Sequence, residues 1–63
     1  RQSVCAARDL PAGHVLTAGD LTVRRPGTGI PAAELDAVIG LRLSRAVRGG
    51  DLLQPTDVRE QAA

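Results

Sequence analysis

A segment of 14 residues occurs twice in this chain, and the second copy aligns with the first at a constant offset of 37 residues. The first copy is RDLPAGHVLTAGDL, residues 8–21, and the second is RAVRGGDLLQPTDV, residues 45–58. Four positions are identical in the two copies: Arg8 and Arg45, Gly13 and Gly50, Leu16 and Leu53, Asp20 and Asp57. Each copy reads as the end of a strand, a glycine turn, an apolar pair and one helical turn. Two such half-motifs predict an internal two-fold arrangement of loops, since two copies are too few for a solenoid.

The composition restricts the fold class further. Phe, Tyr, Trp and Met are absent from the 63 residues, so Leu, Val, Ile and Ala must form the core. Seven Gly and four Pro are too many for a short helical bundle and favour tight turns. We expect one domain, residues 1–63, mostly β with short helical turns, with an ordered core at 3–58 and a frayed tail at 59–63. A chain this short has no room for an enclosed substrate cavity and its supporting shell, so catalysis by this domain alone is disfavoured.

Three segments are predicted to be extended. Residues 21–24 and 41–44 alternate between apolar and polar side chains, which is typical of half-buried strands, and residues 3–7 precede the first copy. In the strand at 21–24 we expect Leu21 and Val23 to face inward.

Residues 31–39 are the best candidate for a helix. Pro31 suits its first position, and Gly40 can end it in a left-handed conformation. One face of this helix is apolar and is expected to pack on the core: Leu35, Val38 and Ile39.

Each copy of the repeat also carries turn and capping signals. Thr17 followed three residues later by Asp20 approximates a capping box, and Pro55 suits the first position of the equivalent helical turn. Gly13 and the pair Gly49-Gly50 supply the positive φ angles of the preceding turns.

Charge and composition disfavour several classes of partner. Eight Arg and seven acidic residues give a net charge of +1, and the arginines are scattered along the chain. Nucleic-acid binding is disfavoured, because the chain has neither a basic patch nor an aromatic platform for bases. No apolar run approaches the ~18 residues of a membrane span, and nothing resembles a signal peptide. We therefore expect neither nucleic acid nor membrane as a partner, and a cytoplasmic location.

Cys5 and His14 offer little chemistry by themselves. Cys5 is the single cysteine, which excludes an internal disulfide, and we expect its thiol to be buried and inert. His14 lies in the Gly13 turn with no second histidine or acid at metal-ligand spacing, so we expect an exposed turn residue. The acids are dispersed, and Asp20 and Asp57 are assigned to capping. No catalytic residue and no metal ligand is therefore predicted.

The segment RRPGTGIP, residues 24–31, is predicted to be a rigid loop. Pro26 fixes its own φ and pushes Arg25 toward an extended conformation, while Gly27 and Gly29 permit positive φ. A guanidinium on such a loop suits a carbonyl or carboxylate oxygen, because it offers five donors in a fixed fork. The alternative, from the residues alone, is a surface arginine that bonds a nearby carbonyl or carboxylate of the protein.

The other residues of this segment and the remaining arginines receive simpler interpretations. Arg24 is expected to be a solvated strand residue or the partner of an acid. Thr28 and its flanking glycines are expected to shape the loop, with ligand contact as the alternative. The arginines of the second copy are expected to form a solvated basic stripe: Arg42, Arg45 and Arg48.

Residues 3–58, SVCAARDLPAGHVLTAGDLTVRRPGTGIPAAELDAVIGLRLSRAVRGGDLLQPTDV, resemble the antifreeze-like or SAF domain at the C-terminus of bacterial and animal sialic acid synthases. The part AARDLPAGHVLTAGDL resembles SAF domains of pilus-assembly and flagellar chaperone proteins as well. The part RRPGTGIP, followed by a helix and VIGLRL, is more specific and indicates the synthase branch.

This resemblance implies a β-clip fold, in which short strands and single-turn helices wrap into a pseudo-symmetric knot. In the family, the parent enzyme joins phosphoenolpyruvate to N-acetylmannosamine inside a TIM barrel with a divalent metal, Mn or Mg, and this domain holds no cofactor. The domain of one subunit lies over the barrel mouth of the other in a domain-swapped dimer. The arginine of the family's RPGxG motif contacts the N-acetyl group of the amino-sugar substrate. Here that residue is Arg25, supported by the loop Pro26, Gly27, Thr28 and Gly29.

Two other functions remain open at this point. The chain can be a SAF module of a cell-envelope assembly protein that binds protein or glycan, which a membrane anchor or signal peptide upstream would favour. A third function, ice binding, follows from the fold relationship to the type III fish antifreeze protein. It is disfavoured because the half-motif that makes the ice-binding face carries charged groups here: Arg8, Asp9, His14 and Asp20.

Overall fold

The computed structural model describes residues 1–61, and its elements are short. Four strands occur in this part of the chain: β1, Ser3–Ala6; β2, Leu21–Arg24; β3, Arg42–Leu43; and β4, Val58–Arg59. Single-turn 3₁₀ helices lie at Ala18–Asp20, Ala32–Glu34 and Pro55–Asp57, and one α-helical turn, α1, lies at Leu35–Val38. The Cα radius of gyration of 10.3 Å is that of a compact domain of this length. The prediction of a mostly β domain with short helical turns is confirmed.

The strands form two antiparallel pairs that share one register. β1 pairs with β2, which places Ala6 opposite Leu21. β3 pairs with β4, which places Leu43 opposite Val58. Residues 43 and 58 follow residues 6 and 21 by the same 37 positions, so the repeat seen in the sequence is a repeat of strand register.

The two copies of the repeat meet through the backbones of Leu10 and Val47. Each residue donates its N–H to the carbonyl oxygen of the other, at 2.9 Å in both directions. These residues occupy equivalent positions, so each copy contacts the other through the same site. Two further backbone bridges join Cys5 to Leu52 and Val15 to Arg42. Arg42 lies 37 residues after Cys5, and Leu52 lies 37 residues after Val15, so each bridge is the equivalent of the other with the two halves interchanged. This is the pairing pattern that the predicted internal two-fold arrangement requires.

Aliphatic side chains form the core, as the composition demands. Ten buried residues pack into one cluster: Val4, Ala6, Leu10, Leu16, Leu21, Ile30, Val38, Leu43, Val47 and Leu53. Leu16 and Leu53, which are identical in the two copies, are almost completely inaccessible. Because both copies contribute to one cluster, each buries its apolar residues against the other.

The turn before each apolar pair depends on a glycine. Gly13 and Gly50 have φ angles of +84° and +95°, a region that favours glycine because it lacks a Cβ. The predicted role of Gly49 as a second positive-φ residue is wrong. A Cβ at Gly49 would lie 3.1 Å from the Cα of Arg8, so this glycine permits a close approach between the two copies instead.

The three predicted strands are correct in position; the one at 21–24 has the predicted bounds, and the other two are shorter than predicted. β1 ends at Ala6, one residue before the predicted end, and β3 consists of the two central residues of the predicted segment 41–44. Leu21 is buried as expected, whereas Val23 is half-buried. Strands this short leave most backbone groups to be satisfied by turns and isolated bridges.

The helix between the copies differs from the prediction at its end. It begins as the 3₁₀ turn Ala32–Glu34 after Pro31 and continues as α1, which ends at Val38. Ile39 already has an extended conformation, with ψ of 129°, and its exposed fraction is 37%. The prediction that Ile39 packs on the core is therefore wrong, because the chain leaves the helical path one residue before it. Gly40 follows with φ of +93°, as predicted.

The predicted frayed tail at 59–63 is partly structured. Arg59 belongs to β4 and pairs with Arg42 of β3. The Gln61 side chain donates to the carbonyl oxygen of Gly40 at 3.0 Å. These bonds extend the ordered chain beyond the predicted end at residue 58, while residues 62 and 63 lie outside the described part.

Two neighbouring substitutions test this helix end. Val38 is 3% exposed, and Val38→Ala removes two buried methyl groups, so we expect it to lower the free energy of unfolding by about 2 kcal/mol. Ile39→Ala removes more carbon atoms from a side chain that is 37% exposed, yet we expect a loss of about 0.5 kcal/mol. Urea unfolding followed by circular dichroism measures both. A larger loss for Ile39→Ala than for Val38→Ala would contradict the observed packing.

Candidate functional site

The loop that follows β2 presents Arg25 to solvent. Arg24, Arg25 and the next three residues are all exposed. The peptide bond between Arg25 and Pro26 is cis. In residues 1–61, the guanidinium groups that bond to the protein belong to Arg8, Arg42 and Arg45. Among the described residues, the Arg25 side chain forms no hydrogen bond with the protein, in contrast to the expected alternative of a contact within the protein.

The two glycines of this loop serve a purpose different from the predicted one. Positive φ angles in the described residues occur at other glycines, and the prediction of positive φ at Gly27 and Gly29 is not met. A Cβ at Gly27 would overlap the side chain of Arg1, and a Cβ at Gly29 would overlap the carbonyl oxygen of Leu53. Both glycines therefore allow the loop to lie close against neighbouring segments.

The hydroxyl group of Ser3 holds the loop from inside. Ser3 is completely buried in β1, opposite Arg24. Its hydroxyl donates to the carbonyl oxygen of Pro26 at 2.9 Å and accepts from the N–H of Gly29 at 3.1 Å. Sequence reasoning missed this residue. A serine at the start of an otherwise apolar strand was the one available signal.

The end of the loop is tied to the backbone of both copies. The N–H of Ile30 donates to the carbonyl oxygen of Leu53 at 2.8 Å. The N–H of Val4 donates to the carbonyl oxygen of Ile30, also at 2.8 Å. Because Ile30 is itself a buried core residue, the position of the loop is set by the core.

An apolar groove adjoins the loop. Its volume is about 350 Å³, and Glu34 is the one charged residue among those that line it: Ile30, Pro31, Glu34, Ala37, Val38, Leu41, Pro55 and Val58. Ile30 and Pro31 directly follow the loop, so loop and groove form a continuous surface. In the described part of the chain, no helix has the length and apolar character needed to cross a bilayer.

The first copy is organised around the buried carboxylate of Asp20. Arg8 donates to Oδ1 from Nε at 3.1 Å and also from Nη2. Oδ2 accepts from the N–H and the hydroxyl of Thr17, both at 2.9 Å, and lies 2.8 Å from Nε2 of His14. Burial would raise the pKa of Asp20, but the bonds from His14, Thr17 and Arg8 outweigh it and hold this pKa well below its ordinary value. The predicted capping by Asp20 is confirmed.

Asp57 occupies the equivalent place in the second copy. Arg45 donates from Nε to Oδ1 at 2.8 Å and from Nη2 to Oδ2 at 3.1 Å, and the N–H of Gln54 donates to Oδ2 at 2.8 Å. Burial would raise the pKa of Asp57, but the hydrogen bond from Arg45, that from Gln54 and the charge of Arg45 lower it. The residue at the place of His14 is Asp51, which cannot donate as a carboxylate, and the residue at the place of Thr17 is Gln54, which donates through its N–H alone. Asp57 therefore has two donor groups fewer than Asp20.

His14 does not occupy the predicted exposed position. Its side chain is 29% exposed, and its ring is held against Asp20 because the turn at Gly13 directs it back toward the first helical turn. No group of three or more metal-ligating side chains occurs among residues 1–61. The contact with Asp20 links the His14 ring to the residue that caps the first helical turn.

Asp20 was expected to be one of the charged groups on the face that binds ice in the antifreeze protein, and this expectation is wrong. Its side chain is 1% exposed, so it is absent from the surface, whereas Arg8 and Asp9 remain exposed there. Asp9 accepts from the N–H of Gly49 at 2.8 Å, which links the two copies.

The prediction that Cys5 is buried is confirmed, and the prediction of a solvated stripe of arginines is partly wrong. Cys5 is completely buried, as predicted, and its Sγ lies 3.5 Å from the carbonyl oxygen of Ala6. The expected solvated stripe of Arg42, Arg45 and Arg48 is partly engaged: Arg42 donates from Nη1 to the carbonyl oxygen of Gly13 at 2.6 Å, and Arg45 pairs with Asp57.

Comparison with known proteins agrees with the sequence resemblance. The family model described as SAF domain matches residues 1–59. The N,N'-diacetyllegionaminic acid synthase of Legionella pneumophila subsp. pneumophila is 40% identical over 53 residues. These residues are 84% of this chain, and the chain spans 15% of the length of that relative. The resemblance to SAF domains, and to a relative named as a nonulosonate synthase, is confirmed.

The buried carboxylates predict a pH dependence of stability. Unfolded aspartate titrates near pH 3.9, and the pKa values of Asp20 and Asp57 are lowered in the folded chain. Their contribution is therefore complete above about pH 4 and is lost as the pH falls further. We expect Asp20→Asn to cost about 3 kcal/mol at pH 7, and Asp57→Asn to cost less, because its carboxylate has fewer donor groups.

Urea unfolding at several pH values between about 2 and 7 measures these effects. Both variants should show a weaker loss of stability below about pH 4 than the parent chain, because each lacks one titrating group. An Asp20→Asn variant with the same acid dependence as the parent chain would contradict the assignment.

Proposed function

Since this chain belongs to the SAF domain family, we propose that it is the noncatalytic C-terminal domain of a sialic acid or related nonulosonate synthase. In this role it covers the TIM-barrel active site of the partner subunit and contacts the N-acyl group of an amino-sugar acceptor through Arg25. The observation that carries the proposal is an exposed guanidinium on a loop whose ends are fixed by the core.

The fold we assign to the domain is the β-clip. Short strands, single-turn helices and two copies that pair through equivalent residues support this assignment. Backbone hydrogen bonds join residues far apart in the sequence, such as Leu10 with Val47 and Ile30 with Leu53. Such a domain is held by contacts distant in sequence, as expected for a chain wound around itself.

The name of the relative supports an N-acylated sugar as the acceptor. N,N'-diacetyllegionaminic acid carries two acetyl groups on nitrogen, so the enzyme that makes it handles acylated amino groups. A secondary amide presents a carbonyl oxygen, which accepts hydrogen bonds from a guanidinium. A synthase therefore accounts for Arg25 better than an envelope-assembly module does.

The placement of Arg25 favours recognition for a physical reason. Its backbone is restricted by Pro26 and by the bonds of Ser3, so less conformational freedom is lost when a ligand is bound. The guanidinium offers parallel N–H donors in a fixed planar geometry. A domain that covers the pocket and supplies one such donor also helps to exclude water during the reaction.

The chemical step belongs to the barrel in this proposal. Phosphoenolpyruvate and the divalent metal, Mn or Mg, would be bound there, and the metal would polarise oxygen atoms of the reactants. The present domain contributes acceptor binding and a cover. The apolar groove next to the loop offers additional surface for contact with the barrel, since Ile30 and Pro31 belong to its lining.

Kinetics of the full-length protein that carries this chain test the proposal. Arg25→Ala should raise the KM for the amino-sugar acceptor by about 10- to 100-fold, because a hydrogen bond from a charged donor is lost. The KM for phosphoenolpyruvate should stay within about two-fold of the parent value, since Arg25 is assigned to the other substrate.

Arg24→Ala is the matched control. Arg24 precedes Arg25, is also exposed, and lies at the end of β2 outside the loop. Its replacement should leave both KM values nearly unchanged. If Arg25→Ala altered neither KM, or if both arginine variants behaved alike, the proposed contact would be wrong.

A further inference from the structure

We propose that Ser3 is the positioning residue for Arg25, acting through a hydroxyl group that closes the loop between Pro26 and Gly29. This inference rests on the proposed function of Arg25 and adds a residue to it. Ser3 itself touches no substrate, because its side chain is completely buried.

The hydroxyl takes the place of a missing backbone hydrogen bond. Bends occur at residue 25 and at residues 28–30. A four-residue turn over residues 26–29 would join the carbonyl of Pro26 directly to the N–H of Gly29. In the described chain these two groups bond to Ser3 instead: Oγ donates to the Pro26 carbonyl at 2.9 Å and accepts from the Gly29 N–H at 3.1 Å. The side chain of β1 thereby bridges the two ends of this segment.

This bridge requires a small group that donates and accepts at once. A hydroxyl has one donor and two acceptor sites, whereas alanine has neither and a thiol is weak in both respects. Water cannot easily replace it, since Ser3 has no accessible surface. Without the hydroxyl, the Pro26 carbonyl and the Gly29 N–H must find other partners, and the loop must change its conformation to reach them.

The internal repeat shows that the half-motif itself does not need this hydroxyl. The position equivalent to Ser3 in the second copy is Gly40, which has no side chain. β3 begins two residues after Gly40, and its two residues pair with β4 in the same register as Cys5 and Ala6 pair with β2. This common part of the register forms without the hydroxyl, whose two hydrogen-bond partners both lie in the loop that carries Arg25.

The bridge lies next to the functional side chain. Arg25 directly precedes Pro26, whose carbonyl the hydroxyl holds, and Ile30 fixes the far end through its bond to Leu53. Loss of the bridge releases the near end while the far end stays attached. A small displacement of a group that grips a substrate weakens binding substantially, so we expect acceptor binding to depend on Ser3.

The experiment compares four variants of the full-length protein: Ser3→Ala, Ser3→Thr, Cys5→Ala and Arg25→Ala. Ser3→Ala removes the hydroxyl, whereas Ser3→Thr keeps it and adds a methyl group. Cys5→Ala is the control for loss of one buried heavy atom from the same strand, because Cys5 is equally buried and its thiol donates to the carbonyl oxygen of Ala6, outside the loop. The readouts are the KM of each substrate, kcat, and hydrogen–deuterium exchange of peptides that cover residues 24–31.

We expect Ser3→Ala to speed exchange in residues 24–31 and to raise the acceptor KM by about 10-fold, with the phosphoenolpyruvate KM and kcat within about two-fold. Ser3→Thr should restore the acceptor KM even where its extra methyl group lowers thermal stability. Cys5→Ala should resemble the parent protein in all kinetic constants. This pattern separates loop positioning from a general loss of stability.

Three results would overturn the inference, and they are distinguishable from one another. If Arg25→Ala raises the acceptor KM but Ser3→Ala does not, Ser3 has no positioning role while the proposed function stands. If Arg25→Ala leaves the acceptor KM unchanged, the proposed function fails, and the role of Ser3 fails with it. An equal rise in the acceptor KM for Ser3→Ala and Cys5→Ala would assign the effect to stability and would also reject the inference.

Discussion

The buried carboxylate of Asp20 determines the path by which the chain reaches the loop that carries Arg25. A buried negative charge is unfavourable unless donors surround it, and here Arg8, His14 and Thr17 supply them. These residues come from the start, the turn and the helical turn of the first copy, so one group holds all three parts together. β2 begins at the next residue, Leu21. The direction of β2, and hence the place where the loop starts, follows from this arrangement.

From that point the pairing of β1 with β2 places the loop beside its anchor. The register sets Ser3 opposite Arg24, so the chain leaves β2 next to a buried hydroxyl. The far side of the loop is fixed at Ile30, whose backbone contacts both copies of the repeat. A domain too small for its own active site can in this way hold one guanidinium in a defined position. In the proposed function, the domain contributes the position of this guanidinium, and the barrel performs the chemical step.

Sequence reasoning predicted the features that depend on neighbours along the chain and missed those that depend on contacts across the fold. A constant offset of 37 residues predicts a shared strand register, since equivalent segments that fold alike pair alike. The spacing between Thr17 and Asp20 predicts the cap in the same local way. Ile39 was misplaced because a helical period does not reveal where a short helix ends. The role of Ser3 was missed because its partners lie 23 and 26 residues later in the chain.

The central claim is that the domain presents Arg25 to the acyl group of a sugar bound in another subunit. A crystal structure of the full-length protein with its acceptor bound tests this claim most directly. The account predicts a guanidinium nitrogen of Arg25 within about 3 Å of the acyl oxygen, from a subunit other than the one whose barrel holds the sugar. An Arg25 side chain directed into solvent, with the acyl group bound by barrel residues alone, would contradict it.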